Sequence, residues 1–367
     1  MNDVYLDVAK IRTFASAGAT PNEIAAGHAA DDLPLANTVA NVLANLPTIG
    51  AAQVAFNQVS GEIHASVRGA MIEDGRTLRD GVIDHLITLA DGDPGVWGEA
   101  VTGSRRLNGD GNAASASGSD TTLMAGLDNA FGPVILGVVG GYETGGLGVD
   151  ARASSANLQG WHVAAYGQAD LGKGWGLRGV GGYSGWTADV SRMISLPGLS
   201  NRLSSRDSVG EGQAYAELGW TAHLGMTRVQ PFIGAGWSWL QGSSFAERGG
   251  AAALNGHGLA LDVGSGKAGV RLDADWRSGG VTIRPHATLA WELGFDGRLP
   301  LVDVGFPDSG SGAAYAVSGP ALSRNRADVD LGVDLTKGGF TLGAGFIGQY
   351  ADRASQEGFN AHVDWNF

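Results

Sequence analysis

The chain has 367 residues, no cysteine and a formal net charge of -13. This excludes a disulfide scaffold, thiolate metal sites and a cysteine nucleophile, and it argues against the basic footprint that nucleic-acid binding requires. Glycine supplies 61 residues, far above the usual ~7%, without a three-residue period and scattered among Trp, Tyr, Val and Leu. Strands rich in glycine and aromatics suit a tightly curved sheet, and the length accommodates one large barrel with an appendage.

The opening, MNDVYLDVAK, has no basic region followed by an apolar stretch and does not read as a secretory leader; in an exported protein it is expected to be the start of a fragment. VYLDVAK alternates like a short strand. Thr20 before Pro21 forms an N-cap and first-turn pair, so a helix is expected to follow. Asn37, Asn41 and Asn45 recur every four residues and are expected to line one solvated stripe of a helix. The longest uncharged stretch, from Asn37 to Gly61, contains several Asn, two Gln and Pro47, too polar for the ~20 apolar residues a spanning helix needs.

From Ile63 onward the period changes. Ile63, Val67, Met71, Ile72, Leu78, Val82, Ile83 and Leu86 fall at helical intervals, with Arg68, Glu73, Arg76, Arg79 and Asp80 between them. A helix from Ala65 to Ile87 would be about 33 Å long at 1.5 Å per residue, matching the height of a membrane barrel. The turn-rich Asp91 to Gly95 is expected to stop it.

Beyond residue 93 the period becomes two, in about twelve runs. VTIRPHATLAWEL places Val281, Ile283, Pro285, Ala287, Leu289, Trp291 and Leu293 on one face, and QAYAELGWTAHL and KAGVRLDADW divide in the same way. The other face carries Arg178, Glu217, Arg228, Lys267, Arg271, Arg284, Glu292, Asp330 and Asp334. A soluble sandwich could direct such a face to water; an outer-membrane barrel would direct it to an aqueous lumen. Run length favours the barrel: ten to fourteen residues exceed the ordinary strand and suffice for a tilted bilayer crossing. Trp175, Tyr183, Trp239, Trp276, Trp291 and Tyr350 lie near the ends of apolar faces, as interfacial girdles require.

Connections alternate too. Short turns (NAFGPV, DLGKGW, HLGMTR, LTKGGF) exchange with long segments (NGDGNAASASGSD, SLPGLSNRLSSRDSVGEG, PDSGSGAAYAVSGPALSRNR), the pattern of periplasmic turns and extracellular loops. The chain ends on FNAHVDWNF, where Phe359, Val363, Trp365 and Phe367 alternate with polar residues to the carboxylate, unlike a frayed tail.

With these residues in view, the chain resembles the C-terminal translocator of a monomeric autotransporter of the type V secretion system. VYLDVAK is similar to the closing strand of that family's passenger stem, TPNEIAAGHAADDLP and AFNQVSGEIHASVRGAMIEDGRTLRDGV to its junction and linker, GVWGEAVTGSRRLNGDGNA to its first barrel strand and loop, and VDWNF to its terminal signal. The stretch around SGEIHAS is the most specific. The resemblance implies a twelve-stranded antiparallel transmembrane β-barrel with an N-terminal α-helix in its lumen. Residues 1–60 would be passenger stub and junction, 61–92 the lumen helix and 93–367 the barrel. Implied partners are outer-membrane lipid, the β-barrel assembly machinery reading Phe359, Val363, Trp365 and Phe367, periplasmic chaperones, and the protein's own passenger; no cofactor or nucleic acid is expected. Arg68, Arg76 and Arg79 are expected to face acidic lumen positions such as Glu217, Glu292 or Asp334.

Chemistry is not expected. Some autotransporters cut their passenger through an Asn inside the pore, and Asn37, Asn41 and Asn45 are the nearby candidates, none followed by Asn or Gly. GYSGW at Gly182–Trp186 falls short of G-x-S-x-G. The eight His form no H-E-x-x-H, and NGDGN lacks the remaining ligands of a calcium loop. Two other readings stay open: a pore gated by the helix, and an adhesin whose long loops bind a ligand.

Overall fold

The computed structural model describes residues 12–89, 95–295, 299–309 and 314–366. Twelve strands follow one another around a closed antiparallel barrel: β1 (Gly95–Leu107), β2 (Ala116–Phe131), β3 (Val134–Val149), β4 (Ser154–Gly172), β5 (Trp175–Leu196), β6 (Leu199–Trp220), β7 (Thr227–Gly242), β8 (Leu261–Ala274), β9 (Val281–Gly294), β10 (Asn325–Lys337), β11 (Phe340–Ala351) and β12 (Ala354–Asn366). Each pairs with its sequence neighbour, and β12 closes on β1 from Gly95↔Asn366 to Leu107↔Ala354. Closure removes the edge strands that an open sheet would expose. Short segments Ala222–Leu224 and Trp276–Ser278 prolong β6 and β8.

The alternation places apolar residues outside. Leu123, Leu136, Leu177, Ile233, Leu289 and Leu342 are exposed on the barrel wall, bounded by Trp175, Trp220, Trp276, Phe340 and Trp365 on the turn side and by Tyr183, Trp239, Trp291 and Tyr350 on the loop side, all exposed. Trp175 and Tyr183 of β5 are eight residues apart, about 20 Å of height for a strand tilted near 40°, close to the apolar band of outer-membrane barrels. Above Tyr183 the outer surface turns polar: Arg206 and Asp189 face outward in an exposed ion pair at 2.7 Å.

The glycines have a packing role. Rings lie against glycines of the adjacent strand, where a Cβ would occupy the ring's space: Trp161 at Gly185 and Trp239 at Gly212 outside, Trp97 at Gly126 and Tyr166 at Gly137 inside. Such pairs let a strongly curved sheet keep aromatic cover without crowding.

The long connections are more ordered than the sequence suggests. SLPGLSNRLSSRDSVGEG is no loop: β5 and β6 pair continuously for 22 residues each, joined at Leu196↔Leu199 through Pro197 and Gly198. Alternation inside this stretch was obscured by its Ser and Arg, which face water because the hairpin rises above the bilayer. PDSGSGAAYAVSGPALSRNR likewise contains the strand Tyr315–Ser318, which with Leu301–Gly305, Asn255–Gly258 and Ser244–Ala246 makes a small antiparallel sheet over the loop-side mouth.

On that sheet sits a helical cap: α1 (Pro21–Asp31), α2 (Thr38–Ala44) and α3 (Ile49–Val59). Thr20 starts α1 with a full capping box to Glu23, and Pro21 takes the first turn. Of Asn37, Asn41 and Asn45, expected along one helix face, only Asn41 lies within a helix, where it is exposed. Asn37 caps the seven-residue α2 by accepting from Val39 and Ala40 N–H, and Asn45 ends it, because Asn favours caps over helix interiors. Phe14, Val39, Leu43 and Phe56 pack against Leu203 of the hairpin and Val304 of the small sheet in one core. Asn22 acts as a substitute strand: its Nδ2 donates to the Ser318 carbonyl at 2.8 Å and its Oδ1 accepts from Ser318 N–H at 3.0 Å.

The stretch Val4–Lys10, the Asp91–Pro94 stop and Phe367 lie outside the described residues.

Candidate functional site: the helix-filled lumen

Gly61, in a left-handed conformation (φ 77°), turns the chain from α3 into α4 (Glu62–Thr88), which runs down the barrel to the turn side. At 27 residues it is about 40 Å long, three residues longer at its start and one at its end than expected. Almost all its residues are buried, including Glu62, His64, Arg68, Glu73, Asp74, Arg76, Arg79 and His85. It is too polar to cross a membrane alone; the barrel shields it.

The lumen is not uniformly polar, contrary to the sequence-based expectation. In its loop-side half Ile63, Val67, Met71 and Ile72 pack against Leu158, Trp186, Val190 and Leu240. Lower down, Leu78, Val82, Ile83 and Leu86 pack on Trp97, Met124, Val180 and Tyr215. The helix therefore leans on the β1–β6 wall, whose inward positions are apolar enough to bury its stripe. Arg76, Arg79 and Asp80 turn toward β8 and β9, beside two adjoining crevices lined by Asp84, Lys267, Arg271, Asp330, Asp334 and Gln349 among others.

Of the three helix arginines, Arg79 meets Glu292 at 3.1 Å and Arg76 approaches it at 3.7 Å. Arg68 lies elsewhere: it donates to the Leu259 carbonyl near the loop-side mouth, too high for Glu217, Glu292 or Asp334. Glu217 is taken by the wall itself, accepting from Arg271 at 2.7 and 2.9 Å and from Arg178 at 3.3 Å. Asp334 lies between His286 at 3.4 Å and His362 at 3.3 Å. Glu73 accepts from Arg326 and Asp74 from Arg105, while Asp80 pairs with Arg79 at 2.9 Å and Lys267 at 3.5 Å. Lys267 also reaches Asp328 at 2.8 Å, Asp330 reaches His286 at 3.5 Å, Arg228 reaches Asp273 at 2.6 Å and Arg284 reaches Asp275 at 2.7 Å. On the outside, Phe359, Val363 and Trp365 are exposed on the lipid face of β12.

Sequence reasoning missed the helix histidines. His64 Nδ1 lies 2.7 Å from Asp207 and its Nε2 2.9 Å from Glu247, with the ring stacked on Phe245. His85 Nδ1 lies 2.9 Å from Asp364 and its Nε2 2.7 Å from Asp128, with the ring stacked on Trp97. No local signal could have found them, because their partners lie 43 to 279 residues away in sequence. Ser184 of GYSGW points inward from mid-strand and bonds His162 Nδ1 at 2.8 Å, fully buried. Asp110 of NGDGN accepts from Asn112 and Ala113 N–H, closing a turn. Among the described residues no group of three or more metal-ligating side chains assembles.

A twelve-strand barrel threaded by a helix has the form of a translocator, and the family model described as autotransporter beta-domain matches residues 96–346. The chain belongs to the autotransporter β-domain family. It is thus an outer-membrane translocator domain for a passenger. Solved structures similar to it include the translocator domain of autotransporter NalP from Neisseria meningitidis (TM-score 0.63, 17% identity, 83% of this chain and 99% of that one). The β domain of the Bordetella autotransporter BrkA gives a TM-score of 0.58 at 18% identity over 75% of this chain and all of that one. The transport unit of AIDA-I from Escherichia coli gives 0.57 at 16% identity over 76% and 92%. The curated relatives it matches are extracellular serine proteases of Serratia marcescens, 27% identical over 327 residues; the match covers 86% of this chain and 31% of theirs. The autotransporter β-domain family is a transporter family, not a catalytic one.

Proposed function

We propose that this autotransporter β-domain carries an N-terminal passenger outward through its own barrel and keeps α4 behind as the plug. The carrying observation is the continuous path of α4, from the cap at the loop-side mouth to the turn side where Gly95 and Asn366 lie paired. That path has one free direction for a passenger, toward the cell surface. In this reading residues 1–60 are passenger stub and junction, 61–92 the plug and 93–367 the barrel. Arg76, Arg79, Glu73 and Asp80 then hold the plug, and Glu292, Lys267 and Arg326 hold it from the wall.

In this reading the domain acts as a transporter, as its family does, and Asn37, Asn41 and Asn45 sit on the cap, away from the lumen where an in-pore cleavage would act. The Serratia likeness supports a secreted protease as the class of cargo. The lipid-facing Phe359, Val363 and Trp365 on the closing strand suit recognition by the β-barrel assembly machinery, with periplasmic chaperones delivering the unfolded chain. An epitope tag placed after a signal peptide and before Met1 tests the direction. Removal of the tag from intact Gram-negative cells by added protease supports surface exposure; protection of the tag in cells with an assembled barrel would favour the pore reading.

A further inference from the structure

The two α4 histidines are held in the same way at opposite ends of the plug. They are 21 residues apart, about 32 Å along the helix. Each ring has both nitrogens within 2.9 Å of a carboxylate oxygen and one face on an aromatic ring. Ionised carboxylates only accept hydrogen bonds, so this geometry requires two protons on each ring. We propose that His64 and His85 are positioning residues that fix the axial register of α4, each a doubly protonated pin between two wall carboxylates, and that loss of these protons frees the plug. The inference rests on the plug reading above.

The surroundings of each pin are complete. Asp207 reaches His64 from β6 and Glu247 from the connection after β7; Glu247 is in turn held by Arg192 of β5 at 2.6 and 2.7 Å, Tyr315 lies within electrostatic reach of Glu247 and Arg68 within reach of Asp207. His85 is reached by Asp128 of β2 and Asp364 of β12. Tyr166 of β4 donates to Asp128 at 2.8 Å, Glu99 of β1 lies nearby, and His362 is 3.8 Å from Asp364. His64 sits level with the exposed Asp189–Arg206 pair, above the bilayer. Burial works to lower its pKa, but Asp207 and Glu247 outweigh it and raise the value to about 8. A neutral ring keeps one proton and therefore leaves one carboxylate of each pair without its donor.

The test uses the full chain labelled with 15N-histidine in lipid nanodiscs, with ring-nitrogen shifts followed from pH 5.5 to 10. Bilayer conductance is recorded over the same range. H64Q and H85Q assign the two rings; if either fails to fold, D207N and D364N, each removing one carboxylate, assign them instead. The expected result is two rings carrying both protons at pH 7 and an open probability that rises at least tenfold between pH 6.5 and 9.5, with an earlier onset in each single variant. Either ring with a single proton at pH 7, or a conductance indifferent to pH and to the variants, overturns the pins. Conductance unchanged by deleting residues 62–88 overturns the plug reading itself, whatever the rings do.

Discussion

Arg192 of β5 grips Glu247 with both arms of its guanidinium, Nε to Oε1 at 2.6 Å and Nη2 to Oε2 at 2.7 Å, and Oε1 also lies 2.9 Å from Nε2 of His64 on the plug. One buried carboxylate thus ties together the tall hairpin, the connection after β7 and the start of α4. Its pKa is held well below the usual range: burial raises it, but Arg192 and His64 prevail. Glu247→Gln would leave Arg192 buried with no full counter-charge, a loss of about 3–5 kcal/mol for a broken buried pair. The expected outcome is a cap, residues 12–60, cut much faster by added protease while the barrel stays resistant.

Docking of the cap should also depend on pH. The folded pKa of His64 lies above its unfolded value of about 6.5, so its contribution is complete below that pH and is lost as pH rises through about 8. A shift of this size corresponds to roughly 2 kcal/mol. Proteolytic protection of the cap should fall between pH 6.5 and 9, and H64Q should flatten the profile.

Deeper in the lumen, Glu292 neutralises Arg79 and Arg76 together. Glu292→Gln leaves Arg79 with Asp80 and Arg76 with Glu73, so the cost should be partial, on the order of 1–3 kcal/mol. The double change with Arg79→Met should recover part of it, because it removes the buried cation that Glu292→Gln leaves short of counter-charge. Heat-modifiable gel mobility measures both, and a double variant no better than the single would argue against direct coupling.

Barrel assembly should be sensitive to glycines beneath aromatic rings. Gly212→Ala places a Cβ where the Trp239 ring lies, so the ring or the strand must move. Folding yield into lipid should drop, and Trp239→Ala in the same chain should restore it. A yield unaffected by Gly212→Ala would show that the ring has room to shift.

The barrel was legible because period-two alternation survives over runs longer than soluble strands need, as in Val281–Leu293. The helix was legible because Ile63 to Leu86 keep a 3.6 period between polar strand blocks. What escaped reading was long-range or context-dependent. The upper half of the β5–β6 hairpin lost its alternation in water, where Asp189 and Arg206 can face outward. Half the lumen is apolar because α4 brings its own stripe to Trp186 and Tyr215, which alternation alone would assign to a wet face. Arg68, four residues from His64 on the same helix, was expected among the lumen acids, yet it ends near the mouth on a backbone carbonyl. His64 and His85 gave no signal at all, since a lone helical histidine does not announce two carboxylates from distant strands.

The claim that α4 fills the pore once export is complete is tested most directly by single-channel conductance of the full chain beside the same chain lacking residues 62–88. Both barrels are first shown to be folded by their heat-modifiable mobility. The account predicts small, infrequent openings in the full chain and a large, stable conductance in the deletion. Equal conductance from two folded barrels would contradict it.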